Sequence, residues 1–424
     1  MDIWERISAF DADENRFERD MEKYGVPFEQ GESSPRLVRE HFNDACLCHC
    51  ENGGASVWRQ WISRACLACR TGKNTGSVFV DLRCTRNCYF CFNENQPHKD
   101  RFKIQKRDIE LELKQAHRAG AHYDCLAITG GEPLLNKEQA LSFLGLARRL
   151  YPDVHLRLYT NGELADKATL EELKECGLNE IRFSVKPDDV ADTRNLVLAN
   201  IERAVSLIDD VVIEMPVMPG TLDEMKALMM QADAMGVRGM NLLEFCFPLH
   251  NAEEFRRRGF KLRHRSRKYP HDYWYAGGIP VAGSEKEALE LLRFAADEGL
   301  RLGVHYCSTD NRNTAQVHFQ NKGFYTDAYL RQIYPWYDFD EDGFLKCAKA
   351  YGADAEEIRA WLDSVGHVVY GYDPDCPAIA FPRALLDDIR QALPHVVVGE
   401  SAAILEERED GSRMVRELNV RKLA

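Results

Sequence analysis

Between residues 77 and 246, short β-rich runs alternate with longer amphipathic ones, a rhythm that limits this stretch to a mostly parallel sheet covered by helices. SVFVDLR (77–83), CLAITG (125–130), HLRLYTNG, EIRFSVK, DVVIEMPVMPG and GMNLLEFC read as six strands. KRDIELELKQAHRAG (106–120), NKEQALSFLGLARRLY (136–151), ATLEELKECG, TRNLVLANIERAVSLI and TLDEMKALMMQADAMG read as the helices between them. Such units pair in parallel with right-handed crossovers, and nearly continuous apolar strands fit a sheet whose outer face lies under helices. The expected fold class is α/β: a partial (β/α)6 barrel with its chemistry at the C-terminal strand ends. Three parts are expected: a helical, cysteine-rich metal-binding segment at 1–70, the barrel at 71–310 with a basic insertion at about 247–283, and an α+β extension at 311–424. RLGVHYC (301–307) reads as a further strand, and Ser284 with Glu287 as the capping box of the helix before it.

The 424 residues carry a net charge of −13, which argues against a long nucleic-acid partner, whose phosphates reward basic surfaces. There is no apolar run long enough to span a membrane and no apolar N-terminal signal region, so the expected location is cytoplasmic, away from membranes. Of the 14 cysteines, eight lie between residues 46 and 91, a clustering that reads as metal ligation rather than as a disulfide framework.

The chemistry begins at CTRNCYFC, where Cys84, Cys88 and Cys91 are separated by three and then two residues, directly after a strand. Three thiolates hold a cubane iron–sulfur cluster with one iron left open, as a catalytic zinc keeps an open position. One βα unit later, Thr129-Gly130-Gly131-Glu132-Pro133 ends a strand with the conformational freedom that lets backbone approach a ligand. These two motifs resemble the radical S-adenosylmethionine (SAM) superfamily, with its CxxxCxΦC loop, where Phe90 takes the aromatic place, and its GGEP turn. The resemblance covers about residues 77–245. It implies a [4Fe–4S] cluster, SAM as cofactor, a flavodoxin or ferredoxin reductant, and a 5′-deoxyadenosyl radical that abstracts hydrogen from substrate. By the same resemblance Gly130, Gly131 and Glu132 meet the SAM methionine. Ser184, Lys186 and Asn161 occupy positions that face the cofactor, and the segments 216–218 and 241–243 flank its adenine.

A second thiol group comprises Cys46, Cys48, Cys50, Cys66 and Cys69, five cysteines in 24 residues. It reads as a second metal site: closed zinc, iron, or an auxiliary iron–sulfur cluster. Cys246 and Cys307 each end a strand-like run and are candidate hydrogen-atom donors, with Glu244 and His305 beside them; simple packing is the competing reading. The insertion, with Arg256, Arg257, Arg258, Lys261, Arg263, Arg265, Arg267 and Lys268 and the aromatics Tyr273, Trp274 and Tyr275, suggests an anionic substrate or a peptide. Two other classes compete: an iron–sulfur electron carrier, which would use four cysteines per cluster, and a zinc-dependent binding module.

Overall fold

The computed structural model describes residues 2–30, 48–96, 98–266, 278–326, 328–340, 343–367, 369–407 and 411–423. Cys46 of the second thiol group, and Arg267, Lys268, Tyr273, Trp274 and Tyr275 of the insertion, lie outside the described residues. The described residues form two compact units, one drawn from 24–266 and 278–312, the other from 2–23 and 313–423.

In the first unit the strands are β1 (His49–Glu51), β2 (Ser56–Arg59), β3 (Thr75–Phe79), β4 (Cys125–Thr129), β5 (His155–Thr160), β6 (Glu180–Phe183), β7 (Asp210–Val217), β8 (Gly239–Glu244), β9 (Cys246–Phe247), β10 (Ile279–Pro280) and β11 (Gly303–Cys307). Nine of them make one sheet in the order β1-β2-β11-β8-β7-β6-β5-β4-β3. The six expected parallel strands are neighbours in chain order, and β11 adds a seventh beside β8. The cysteine-rich segment supplies the rest, since β2 pairs antiparallel with β11 and β1 with β2. The sheet is open, in keeping with a partial barrel. Cys246 lies in β9, paired with β10, two residues beyond the end of β8.

The two faces of this sheet differ sharply. On the outer face Leu156, Leu158, Ile181, Phe183, Ile213, Leu242 and Tyr306 are fully buried under helices. Because side chains alternate along a strand, the intervening residues face the other way. There the register aligns Tyr159 with Arg182, and Glu214 with Asn241 and His305. The inner face is therefore polar, contrary to the nearly all-apolar strands expected from sequence. Burying these groups is tolerated because they pair: Arg182 bonds Glu180 and Glu214, and His155 Nε2 lies 2.7 Å from Glu180 Oε2. Ser284 also plays another part than expected: the helix Ser284–Asp297 is capped by Gly283, and the Ser284 hydroxyl accepts from the Phe245 N–H at 2.8 Å.

The second unit is an antiparallel sheet of β12 (Asp338–Phe339), β13 (Leu345–Tyr351), β14 (Gly371–Asp373), β15 (Ala378–Phe381), β16 (Gly399–Glu407) and β17 (Arg413–Lys422). The helix Gly352–Ser364 packs Ala355, Ile358 and Leu362 against Ala348, Ala350, Ile379 and Phe381. The N-terminal helix Ile3–Met21 belongs here as well. Ile3 packs on Val420 and Tyr351, and Arg6 reaches the buried Glu417 at 2.8 Å. The first helix and the cysteine segment, read together from sequence, thus lie in different units.

Candidate active site

Strand β3 runs out through Val80–Arg83 into the loop that carries Cys84, Cys88 and Cys91. Asp81, buried, accepts from the Arg83 N–H at 3.1 Å and from Arg83 Nε at 2.8 Å, which stiffens the exit. The GG turn after β4 is laced directly onto it: Gly131 N–H donates to Asp81 O at 3.3 Å and Glu132 N–H to Arg83 O at 2.7 Å. A Cβ on Gly131 would fall 1.8 Å from Arg83 O, and Gly130 has φ +116°. Both glycines are thus needed for close approach of two backbones, whatever else binds there.

Glu132 is almost wholly buried, with its carboxylate oxygens accepting from Leu134 N at 3.0 Å, Thr160 Oγ1 at 2.9 Å and Asn161 N at 2.7 Å. Burial pushes this carboxyl above its usual range, and the two backbone donors and the Thr160 hydroxyl oppose the shift. Its side chain ties the ends of β4 and β5 together. Asn161, in turn, donates to Thr85 Oγ1 at 2.8 Å and lies 3.7 Å from Cys84 Sγ, so it holds the start of the cysteine loop.

Beyond Cys84 the loop is held by charge. Arg86 pairs with Glu163 and with Asp189, both at 2.7 Å, linking it to the loops after β5 and β6. Lys186, buried, places Nζ 2.7 Å from Cys88 Sγ. Ser184 is fixed by its N–H to Thr160 O at 3.1 Å. Phe90 stands edge-on to Tyr89 and Phe245 with centroids 5.0 and 5.7 Å away. A cleft of about 820 Å³ opens beside the loop, lined by Cys88, Tyr89, Phe90, Lys186, Asp189 and Arg258 among others. The sequence-read residues Cys84, Cys88, Cys91, Phe90, Gly130, Gly131, Glu132, Asn161, Ser184 and Lys186 therefore gather at the C-terminal ends of β3 to β6.

The donor set fits a polynuclear cluster. Cys84 and Cys88 both act on Cys91, whose thiol burial pushes up, so the three sulfurs share one neighbourhood. Cys84 is exposed, which leaves the loop accessible from solvent.

The second thiol group divides. Cys50 aligns with Val57 and, across β2, with Tyr306 on the outer face, where Cys48 also packs against the core. Cys66 instead points into the sheet's inner face, 3.1 Å from Arg182 Nη2 and 3.8 Å from Asn241 Nδ2. Cys66 and Cys69 both act on Cys307, which the register places on that inner face with Leu243. The segment that carries them fills the inner face. Trp61 lies against Gly239 and Gly303, where a Cβ would come within 2.7 and 2.3 Å of it, and Ser63 donates to Glu180 at 2.5 Å. Sequence reasoning missed this filling, although the paired strand-start glycines are its trace.

Cys246 and Cys307 both feel Arg312 but bond different partners. Cys246 Sγ lies 3.1 Å from Thr309 Oγ1 and 3.4 Å from Arg312 Nη2, while Cys307 Sγ accepts from Asn311 Nδ2 at 3.2 Å. Burial pushes both thiols up, Cys307 to about 12, with Arg312 acting in the opposite direction. Glu244 accepts from Thr309 N–H at 2.8 Å and pairs with Arg263 at 2.6 Å. Four described arginines of the insertion are engaged: Arg256 with Tyr24 O, Arg257 with Glu254, Arg258 with Glu254 and Asp188, and Arg263 with Glu244 and Glu285.

Comparison with known proteins places this geometry. The model of the radical SAM superfamily matches residues 82–232. A putative glycyl-radical enzyme activating enzyme of Methanocaldococcus jannaschii is 27% identical over 249 residues, 57% of this chain and 62% of the relative, so the match spans less than two thirds of that protein. Among solved structures, SuiB of Streptococcus suis bound to precursor peptide SuiA aligns at TM-score 0.41 and 13% identity, over 59% of this chain and 52% of that one. AnSMEcpe with bound AdoMet and Cp18Cys peptide aligns at TM-score 0.37 and 16% identity, over 54% and 63%. Residues 82–232, which carry the three loop cysteines, the GG turn and Lys186, match the radical SAM superfamily.

Proposed function

We propose that this protein is a radical SAM enzyme that reductively cleaves SAM and abstracts a hydrogen atom from a peptide or protein segment. The observation that carries it is the three-thiol loop laced to the GG turn by Gly131 N–H to Asp81 O and Glu132 N–H to Arg83 O. When bound, a [4Fe–4S] cluster supplies the electron that breaks the sulfonium bond of SAM. Cys84, Cys88 and Cys91 would hold that cluster and leave one iron for SAM. Lys186 offers positive charge to the Cys88 sulfur, Asn161 fixes the loop at Thr85, and Arg86 locks it to Glu163 and Asp189. A polypeptide substrate is supported by the Methanocaldococcus jannaschii relative, whose name makes it an activator of another enzyme.

Replacing Cys88 by Ser should abolish 5′-deoxyadenosine formation on reduction with dithionite, at least a hundredfold below the native protein. Retained deoxyadenosine would overturn the assignment. The hydrogen-donor role falls on Cys307 rather than Cys246. Its position on the inner face of the sheet, aligned with Leu243, carries this assignment. Cys307→Ala should leave deoxyadenosine formation intact and stop turnover after hydrogen abstraction; normal yield of the final product would remove this role. A single metal site built from Cys46, Cys48, Cys50, Cys66 and Cys69 finds little support, because Cys50 and Cys66 open on opposite faces of the sheet.

A further inference from the structure

We propose that Cys66 and Cys69 are a redox-active dithiol, a modification site that closes reversibly into a disulfide by exchange with a small-molecule disulfide. The two thiols stand three residues apart on the short helix Arg64–Cys69, of which Cys69 is the last residue. That spacing puts both side chains on one side of an α-helix, with Cα atoms about 5 Å apart. A disulfide takes Cα atoms roughly 4.4–6.8 Å apart, so the pair closes by side-chain rotation where the helix ends. Cys48 and Cys50 lie on the outer face of the sheet and Cys66 on the inner, so neither is a partner for it.

The surroundings suit exchange. Cys66 and Cys69 are both half-buried and keep part of their surface in solvent, where a small disulfide arrives. Cys66 Sγ lies 3.1 Å from Arg182 Nη2. Burial pushes the Cys66 thiol up and Arg182 draws it back, so negative charge arising on that sulfur meets a guanidinium. Cys69 attacks the incoming disulfide and releases one thiol; Cys66 then attacks the Cys69 sulfur and releases the second. The incoming S–S bond breaks, that of the pair forms, and the two thiol hydrogens leave on the released thiols. The place also bears on Cys307. Asn241, 3.8 Å from Cys66 Sγ, aligns with His305, and Cys307 stands two residues further along β11 on the same face. Closing the pair removes two ionisable thiols that both act on Cys307. This bearing on catalysis, though not the pair itself, rests on the reading of Cys307 as hydrogen donor.

The test equilibrates the full chain anaerobically with mixtures of reduced and oxidised glutathione, then quenches with acid, alkylates, and maps the cysteines by mass spectrometry, with iron and zinc counted on the same samples. The native chain should form a Cys66–Cys69 disulfide as the oxidised fraction rises, and lose it on addition of dithiothreitol. Cys66→Ser should stop at the mixed disulfide, with glutathione on Cys69 about tenfold more abundant than in the native chain. Two free thiols in an excess of oxidised glutathione would overturn the proposal, as would a disulfide that forms only after unfolding in urea. Cys69 joined to Cys307, or the pair protected by a bound metal, would overturn it equally. Absence of deoxyadenosine from the native chain with dithionite would instead sink the proposed function and leave the dithiol standing.

Discussion

His305 shows how a single residue records its surroundings. It stands on the inner face of β11, its Nε2 3.0 Å from Ser56 Oγ, and burial, helped by the charge of Arg182, lowers its pKa to about 3. The folded state therefore holds it neutral where the unfolded chain, titrating near 6.5, takes up a proton. The native state binds fewer protons between about pH 6.5 and 3, so stability falls as pH falls through that window, at up to about 1.4 kcal/mol per unit. Urea unfolding at pH 7 and pH 5 should show the native protein losing about 2 kcal/mol more than His305→Gln; equal losses would mean that the imidazole is hydrated or already charged. At this scale the sequence was legible where partners are close along the chain. Cys84, Cys88 and Cys91 announce themselves by spacing. Glu132 was read as a ligand of SAM, and its bonds to Thr160 and Asn161, 28 and 29 residues away, carry no local signature.

Among the elements, the six alternating units were legible because hydrophobic period and turn residues are local properties. The segment Trp61–Cys69 was not. Its place on the inner face depends on Gly239 and Gly303 making room for Trp61 and on Arg182 reaching Cys66, contacts that span more than a hundred residues. The same long range hid the pairing of β2 with β11, which turns a cysteine-rich stretch into the edge of the sheet. Ser284 shows the opposite failure: a strong local pattern for a capping box yielded to a tertiary bond with Phe245. If Cys66 and Cys69 fill the inner face rather than hold a metal, the Cys66→Ser, Cys69→Ser double variant keeps the native iron and zinc content per chain. Loss of one metal equivalent, with the loop cluster's spectrum intact, would establish a second site.

For the whole molecule, the division of labour runs along the chain in an unexpected order. The parallel sheet with its cysteine loop draws on described residues of 24–266 and 278–312, while the N-terminal helix joins the antiparallel sheet built from described residues of 313–423. No helix among the described residues is long and apolar enough to cross a membrane. The central claim is that the three-cysteine loop carries a cluster with one iron free for SAM. The most direct test is the Mössbauer spectrum of protein reconstituted anaerobically with ⁵⁷Fe and sulfide, recorded with and without SAM. The account predicts a four-iron cluster in which one iron alone changes its isomer shift when SAM binds. Four irons that stay equivalent and indifferent to SAM would contradict it, and would make the protein an electron carrier with a fully ligated cluster.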